Sequence, residues 1–183
     1  MSDSTEITYS TSLGESESGE DIQLVPLHRH NQYTEDCLDM LTAHWKMKRE
    51  TELLKLQDSV DDFPTSLVLL KYSGDGRINV IGYSRLKTIP FKEQAIWIEK
   101  VIINTQHRGK GYGNILMDRT EEYAHKRNFK SAYLSTGFQH NFYTKLGYVL
   151  CPSNDPIQAW RTTAPMYQKN WLYPLKQQSS LDD

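Results

Sequence analysis

A glycine-rich segment carries the clearest chemical signal in the sequence. Residues 106–113 have the sequence QHRGKGYG, with glycines at alternate positions. Glycine lets the backbone bend tightly and bring several N–H groups to one point. A helix predicted directly after the segment would aim its own N–H groups and the positive end of its dipole at the same place. The segment therefore predicts a cradle for a pyrophosphate, with Arg108 and Lys110 as cationic support.

Two common phosphate-binding loops do not fit this segment. No Gly-Lys-Ser/Thr follows it, so it is not the P-loop of nucleotide triphosphatases. Its spacing is G-x-G-x-G rather than the G-x-G-x-x-G of dinucleotide-binding folds. A glycine turn that only connects a strand to a helix is the alternative interpretation. The well-defined strand and helix on either side favour the cradle.

Hydrophobic periodicity predicts the elements that must position this loop. Strands are predicted at 22–27, 66–72, 79–87, 95–104, 131–136, 148–150 and 167–171, and helices at 32–44, 48–57, 111–127 and 141–146. The order indicates a mixed α/β domain with antiparallel early strands. Alternation along the strongest strand, 95–104, would put Trp97 and Glu99 on one side of the sheet, and Ile98 and Lys100 on the other.

Two motifs resemble those of the GNAT (Gcn5-related N-acetyltransferase) family. Arg108, Gly111 and Gly113 form R-x-x-G-x-G, the acetyl-CoA signature of that family, between a strand and a helix. Residues 141–148 (NFYTKLGY) are similar to the family's F-Y-x-x-x-G-F/Y segment. The resemblance covers about residues 22–172. It implies the GNAT fold, an α/β domain with a mixed seven-stranded sheet splayed between its fourth and fifth strands and about four helices.

Within the family, the chain is most similar to the enzymes that acetylate the processed, acidic N-terminus of actin. The similarity rests on residues 24–29 (LVPLHR), 62–64 (DFP), Glu99 and residues 140–148. It implies an acetyl-CoA-dependent transfer to an α-amine, by direct attack of the amine on the thioester in a ternary complex. The implied partner is a protein with an acidic N-terminus, namely actin.

The resemblance also implies which residues hold the cofactor. Backbone N–H groups of the glycine loop would bind the pyrophosphate, and the strand before it would pair with the pantetheine arm and polarise the thioester carbonyl. Many relatives have asparagine where this chain has Thr136, which removes that side-chain contact. No metal is expected. The implied acetyl-CoA contacts are Val101, Ile102, Ile103, Arg108, Gly109, Lys110, Gly111, Tyr112, Gly113, Thr136, Asn141 and Tyr143.

Two residues match catalytic positions of the family. Tyr143 matches the tyrosine that protonates the leaving thiolate, with a core tyrosine as the alternative. Glu99 matches the position of a general base, with an ion-paired carboxylate of the sheet as the alternative. His107 and His140 are other possible bases. A protein α-amine has a reference pKa of about 8, so it needs little help to lose its proton.

An acidic N-terminus requires cations near the acceptor end of the cleft, and arginine binds carboxylates best. Arg49 and Arg85 are the favoured cations for binding the acidic N-terminus, each with a solvated surface charge as the alternative. Trp45 is expected to line the cleft or to belong to the core. The full set of expected substrate contacts is Trp45, Arg49, Arg85, Ser135, His140 and Arg161.

Composition limits the class of protein. The chain has 183 residues, of which 38% are hydrophobic and 24% are charged. One domain at 22–176 is expected, after a disordered acidic Ser/Glu-rich tail at 1–21 and before a C-terminal tail at 177–183. Without the first 23 residues the formal charge is about +4, a weak bias towards acidic peptides and too small for nucleic acid.

The remaining expectations concern the compartment and rival functions. The sequence has no apolar run long enough to span a membrane. Cys37 and Cys151 lack a metal-ligand spacing, which indicates reduced thiols in a cytosolic or nuclear protein. A cytoplasmic monomer is expected. One rival is a lysine or small-amine acetyltransferase of the same fold, which would need a stronger base and an acidic cleft. Another is a non-catalytic module that binds CoA.

Overall fold

The computed structural model describes residues 21–160 and 164–171, which form one seven-stranded sheet flanked by helices. The strands are β1 (Asp21–Pro26), β2 (Thr65–Tyr72), β3 (Ile78–Thr88), β4 (Ala95–Ile103), β5 (Ser131–Ser135), β6 (Val149–Leu150) and β7 (Met166–Asn170). The α-helices of this part of the chain are α1 (Thr34–His44), α2 (Arg49–Gln57), α3 (Tyr112–His125) and α4 (His140–Lys145). The predicted fold class and element order are confirmed.

The sheet has an antiparallel half and a half that begins with a parallel pair. Its order is β1-β2-β3-β4-β5-β7-β6. Strands β1 to β4 are antiparallel neighbours, whereas β5 lies parallel to β4. A turn joins β2 and β3, with Gly76 at a φ of 83°. The change of direction at β4 and β5 is where the sheet opens.

The two faces of the sheet pack against different helices, because side chains alternate along each strand. Leu38 of α1 packs with Val68 and Leu70 of β2 in one buried cluster. Met117 of α3 packs with Ile98 of β4 in another. Successive side chains of a strand point to opposite faces, so α1 and α2 cover one face and α3 covers the other.

Strands β4 and β5 separate soon after they meet. Their pairing covers only Ala95 to Trp97 on β4 and Ser131 to Tyr133 on β5. Beyond Trp97, the edge of β4 towards β5 has no paired strand among the described residues. A strand edge exposed in this way can pair with an extended ligand. This confirms the predicted splay between the fourth and fifth strands.

A β-bulge interrupts β4 at Lys100. Tyr83 pairs with Ile102 and Arg85 pairs with Glu99, so Ser84 of β3 faces two residues of β4. Lys100 takes up the extra residue with a φ of 56°. A bulge of this kind reverses the alternation of side chains beyond it. Lys100 consequently points to the α2 face together with Glu99, and the expectation that it points the other way is wrong.

The predicted tails and Arg161 lie outside the described residues, apart from Asp21, which begins β1. Cys37 and Cys151 are buried free thiols. In the ranges 21–160 and 164–171, every helix is too short or too polar to span a bilayer.

Candidate active site

A cleft of about 750 Å³ occupies the gap between β4 and β5. The far ends of both strands, the glycine loop and the first turn of α3 form its walls. Of the residues predicted to contact cofactor or substrate, most line this cleft: Trp45, Glu99, Val101, Ile102, Ile103, Arg108, Gly109, Gly111, Tyr112, Gly113, Ser135, Thr136 and Tyr143. His107 lines it as well. The structure thus brings together the residues of two distant sequence motifs.

The glycine loop has the backbone geometry of a cradle. Gly109 and Gly111 have φ angles of 74° and 83°, in the left-handed region that favours glycine. Gly111 is the N-cap of α3, so the loop leads directly into the positive end of that helix. A side chain at Gly113 would approach the ring of Phe142 to 3.3 Å. Three glycines are therefore used for two different purposes, chain reversal and the close packing of α3 against α4.

Arg108 braces the loop against the neighbouring elements. Its Nε donates to the carbonyl of Ile103 at 2.9 Å, and its Nη2 lies 3.2 Å from Nδ1 of His44. Burial and the charge of Arg108 lower the pKa of His44, so this imidazole is neutral at neutral pH and accepts the hydrogen bond. The guanidinium predicted to support a pyrophosphate thus also ties the loop to α1.

Tyr143 lies on α4 at the inner end of the cleft. Its side chain is 8% exposed, and its ring packs edge-on against Phe142 and Tyr148. Burial raises the pKa of Tyr143 to about 12. The phenol therefore stays protonated at neutral pH, which is the state that a proton donor requires.

A buried carboxylate fixes the segment that follows α4. Glu121 of α3 accepts hydrogen bonds from the Tyr148 hydroxyl at 2.9 Å, Lys169 Nζ at 2.8 Å and Trp171 Nε1 at 3.1 Å. Tyr148 is in turn in ring contact with Tyr143. The cluster therefore holds α3, β7 and the segment after α4 in one arrangement.

Replacement of Glu121 by Gln is expected to lower the free energy of unfolding by about 2–3 kcal/mol, because Lys169 loses its counter-ion in a largely buried site. Urea denaturation followed by circular dichroism measures the change. Glu122→Gln is the matched control, since Glu122 is exposed and forms an ion pair with Lys126 on the same helix. The control should cost less than about 0.5 kcal/mol. Equal losses in the two variants would contradict the assigned role of Glu121.

Glu99 lines the cleft with its carboxylate held between two cations. Oε1 lies 3.1 Å from Lys87 Nζ and 3.5 Å from Arg85 Nε. The side chain is 17% exposed. The carboxylate is thus ion-paired and also lines the cleft, and its role as a general base stays a prediction.

The expected position of Arg85 is corrected by the structure. Arg85 is only 2% exposed, and its guanidinium donates to the carbonyl of Lys55 and to Asp58 at 2.9 Å. It therefore fastens the end of α2 to the sheet beside Glu99. A strand position whose side chain is buried beneath a helix cannot offer a solvated cation to a peptide.

Arg49 is also placed differently from the expectation. It is exposed at the start of α2, where it contacts Glu35 and Asp39 of α1 at 2.6 Å each. Both contacts hold the two helices together and neutralise its charge. Arg49, Arg85, Lys110, His140 and Asn141 do not line the cleft, and Arg161 lies outside the described residues.

Several cleft residues were not predicted as contacts. Lys100 lines the floor beside Glu99 because of the β-bulge, and His44 lines the wall near Trp45. Phe138 and Phe142 line the opposite side, and Phe138 is 93% exposed. Phe142 belongs to the motif at 141–148, although no contact was expected of it. Phe138 lies in no motif, and a bulge within a regular apolar run gives no signal in a sequence.

Comparison with known proteins gives a consistent result. The acetyltransferase (GNAT) family matches residues 31–148. N-alpha-acetyltransferase 80 of Mus musculus is 33% identical over 125 residues, which are 67% of this chain and 38% of the mouse protein. The matched part of the chain thus spans less than half the length of that relative.

Solved structures share the fold at low identity. A GNAT-family acetyltransferase from Staphylococcus aureus has a TM-score of 0.64 and 16% identity, with 82% of this chain and 99% of that chain covered. An aminoglycoside 6′-N-acetyltransferase complexed with coenzyme A has a TM-score of 0.65 and 12% identity, with 83% and 98% covered. The family match, the split sheet and the glycine loop at α3 agree: the chain belongs to the GNAT acetyltransferase family.

Proposed function

We propose that this protein is an acetyl-CoA-dependent N-acetyltransferase that acts on the α-amine of acidic protein N-termini, with processed actin as its substrate. One observation carries the proposal. The glycine loop, the open edge of β4 and the buried phenol of Tyr143 all face the same cleft. This arrangement provides a site for a phosphate-bearing thioester and a proton donor at its reactive end.

The residues present fit acetyl-CoA. The loop at 108–113 offers backbone N–H groups and the N-terminus of a 14-residue helix to a pyrophosphate. The unpaired edge of β4 beyond Trp97 offers hydrogen-bonding groups to the amides of a pantetheine arm. Acetyl-CoA supplies the thioester whose acetyl group is transferred. Thr136 lines the cleft but is engaged, since its Oγ1 accepts from the Gln139 N–H at 2.9 Å.

Side chains of the cleft then take part in two proton transfers, one from the attacking amine and one to the leaving thiolate. The new C–N bond forms as the C–S bond breaks, the amine releases a proton, and the thiolate takes one from Tyr143. Because the pKa of Tyr143 is raised to about 12, its proton is present when the thiolate leaves. Glu99 faces the cleft and can accept the proton of the amine directly or through water, with His107 as the second candidate.

Two findings support an acidic protein N-terminus as the acceptor. The similarity to a mouse N-alpha-acetyltransferase supports an α-amine. Glu99 lines the cleft on its acceptor side, and Lys87 and Arg85 already balance its negative charge. Its carboxylate therefore opposes the carboxylates of an acidic substrate less than an unpaired one would. The proposal retains the expectation of a monomer in the cytoplasm.

A rate comparison on three peptides tests the proposal. One peptide begins with Asp-Asp-Asp, one begins with a neutral tripeptide, and one is N-blocked with an internal lysine. Release of free CoA and product mass are recorded for each. We expect the acidic free amine to react at least about tenfold faster than the neutral one, because cations of the cleft pair with its carboxylates. The blocked peptide should not react.

Other results would identify a rival function. Turnover of the blocked lysine peptide would keep the fold and overturn the substrate class. Thermal stabilisation by acetyl-CoA without product from any peptide would indicate a binding module.

A further inference from the structure

The β-bulge in β4 creates a feature that regular alternation would not allow. It places Glu99 and Lys100, adjacent in sequence, on the same face of the sheet and both in the lining of the cleft. A carboxylate and an ammonium thus stand side by side at the floor, on the side walled by the connection between α1 and α2. This pair sits where an incoming peptide N-terminus would lie under the proposed function.

Lys100 is held in place by α2 and by the connection before it. Its ammonium donates to Glu52, a side chain that is 1% exposed, and lies 3.6 Å from the sulfur of Met47. Lys100 itself is 18% exposed. An ammonium has three donors, and here one goes to a carboxylate and one to a weak sulfur acceptor. The remaining donor can serve a ligand in the cleft.

Within the ion pairs of the described residues, the charges that surround Lys100 are unequal in number. Glu52, Asp58 and Glu99 form ion pairs with four cations, and these seven residues are called the α2–β4 charge cluster: Glu52, Lys55, Asp58, Arg85, Lys87, Glu99 and Lys100. The cluster therefore has one cation more than carboxylates. Lys55 and Asp58 are largely exposed, and Arg85 is enclosed. Lys100 is the cation of the cluster that lines the cleft.

Desolvation adds to this imbalance. Burial lowers the pKa of Lys100, and the hydrogen bond from its ammonium to Glu52 opposes the effect without cancelling it. Burial raises the pKa of Glu52, but hydrogen bonds from Lys100 and Lys55 together bring it below its ordinary value. Hydrogen bonds thus more than offset the effect of burial on the pKa of Glu52, whereas they do not offset the effect of burial on the pKa of Lys100. A second anion beside Lys100 would favour its charged form.

We propose that Lys100 is the specificity-determining cation of the cleft, which donates a charge-assisted hydrogen bond to an acidic side chain near the N-terminus of the acceptor peptide. This inference rests on the proposed function and names the residue that selects the substrate. Glu52 is the counter-ion of this ammonium within the fold, and Met47 lies beside it. Arg49 and Arg85, the cations favoured from the sequence, are committed to contacts within the fold.

The test compares Lys100→Met with wild type on an Asp-Asp-Asp peptide and on a neutral peptide. Lys100→Met is expected to lower kcat/KM for the acidic peptide about tenfold, mainly through KM, because a charge-assisted hydrogen bond is lost. For the neutral peptide, kcat/KM should change by less than about twofold. Lys46→Met is the matched control, since Lys46 is exposed on the same connection and does not line the cleft. It should leave the selectivity unchanged.

Two further variants separate recognition from folding. Lys100→Arg keeps the cation and should retain most of the selectivity. Glu52→Gln keeps Lys100 and removes the carboxylate that competes for it, so the preference for the acidic peptide should hold or rise. A loss of selectivity in Glu52→Gln equal to that in Lys100→Met would overturn the proposal in favour of a structural pair. If Lys100→Met fails to fold, Glu52→Gln decides alone: a roughly tenfold loss of selectivity with Lys100 still present would overturn the proposal.

The outcomes distinguish this inference from the proposed function. If wild type prefers the acidic peptide and Lys100→Met keeps that preference at a normal rate, the role of Lys100 is refuted and the proposed function stands. Wild type that acetylates no free α-amine refutes the proposed function and this inference with it. Stabilisation by acetyl-CoA should persist in Lys100→Met in either case.

Discussion

Replacement of Tyr143 by Phe is expected to lower kcat by about 10²-fold or more, with acetyl-CoA affinity changed by less than about twofold. The ring stays in its contacts with Phe142 and Tyr148, so the packing of α4 is preserved. Only the proton for the leaving thiolate is lost. Steady-state rates and binding of acetyl-CoA by calorimetry separate the two quantities. Tyr72→Phe, at the end of β2 and outside the cleft, is the control and should be neutral.

The pH dependence gives a second test of the same residue. A proton donor is active below its pKa and inactive above it, and burial raises the pKa of Tyr143 to about 12. The kcat of wild type should therefore show no decline between pH 7 and pH 10 that depends on Tyr143. A decline centred near the ordinary phenol value, absent in Tyr143→Phe, would contradict the buried environment. An unchanged kcat in the variant would remove Tyr143 as the acid.

Replacement of Gly111 by Asp is expected to weaken acetyl-CoA binding by about 100-fold. Gly111 has a φ of 83° at the N-cap of α3, a conformation that costs a residue with a side chain roughly 1–2 kcal/mol. The added carboxylate would also stand where the pyrophosphate is expected. Nothing lies within 4 Å of a side chain at this position, so steric conflict inside the protein is absent. Binding is measured by the ligand-induced shift in melting temperature and by calorimetry.

Gly76 provides the matched control for this substitution. It lies in the turn between β2 and β3, has the same φ of 83°, and has nothing within 4 Å of an added Cβ. Gly76→Asp should bind acetyl-CoA normally. If Gly111→Asp bound acetyl-CoA as tightly as the control, the assignment of the loop as the pyrophosphate site would fail.

The elements and the loop could be predicted from the sequence because each depends on local chemistry. Apolar alternation at 66–72 and 95–104 and helical spacing at 111–127 place β2, β4 and α3 within a few residues of their observed bounds. The positive φ of Gly109 and Gly111 is a conformation that few other residues adopt, so the spacing of glycines reports it directly.

The acceptor side of the site could not be predicted in the same way. The bulge at Lys100 depends on how β3 and β4 pair, and a shift of one residue moves a side chain to the other face of the sheet. The burial of Arg85 depends on α2 lying over β3, which no local pattern reports. Arg49 is neutralised by two carboxylates of α1 that lie 10 and 14 residues earlier. The two arginines favoured as substrate contacts, Arg49 and Arg85, are therefore engaged within the fold, which the sequence does not report.

The most direct test of the account is the position of the acetyl group on one peptide that offers both kinds of amine. The peptide begins with Asp-Asp-Asp and carries an internal lysine, and the full chain is incubated with it and acetyl-CoA. Fragmentation in a mass spectrometer locates the added group. The account predicts acetylation of the N-terminal α-amine with the lysine unmodified. Acetylation of the lysine, with the α-amine left free, would contradict it.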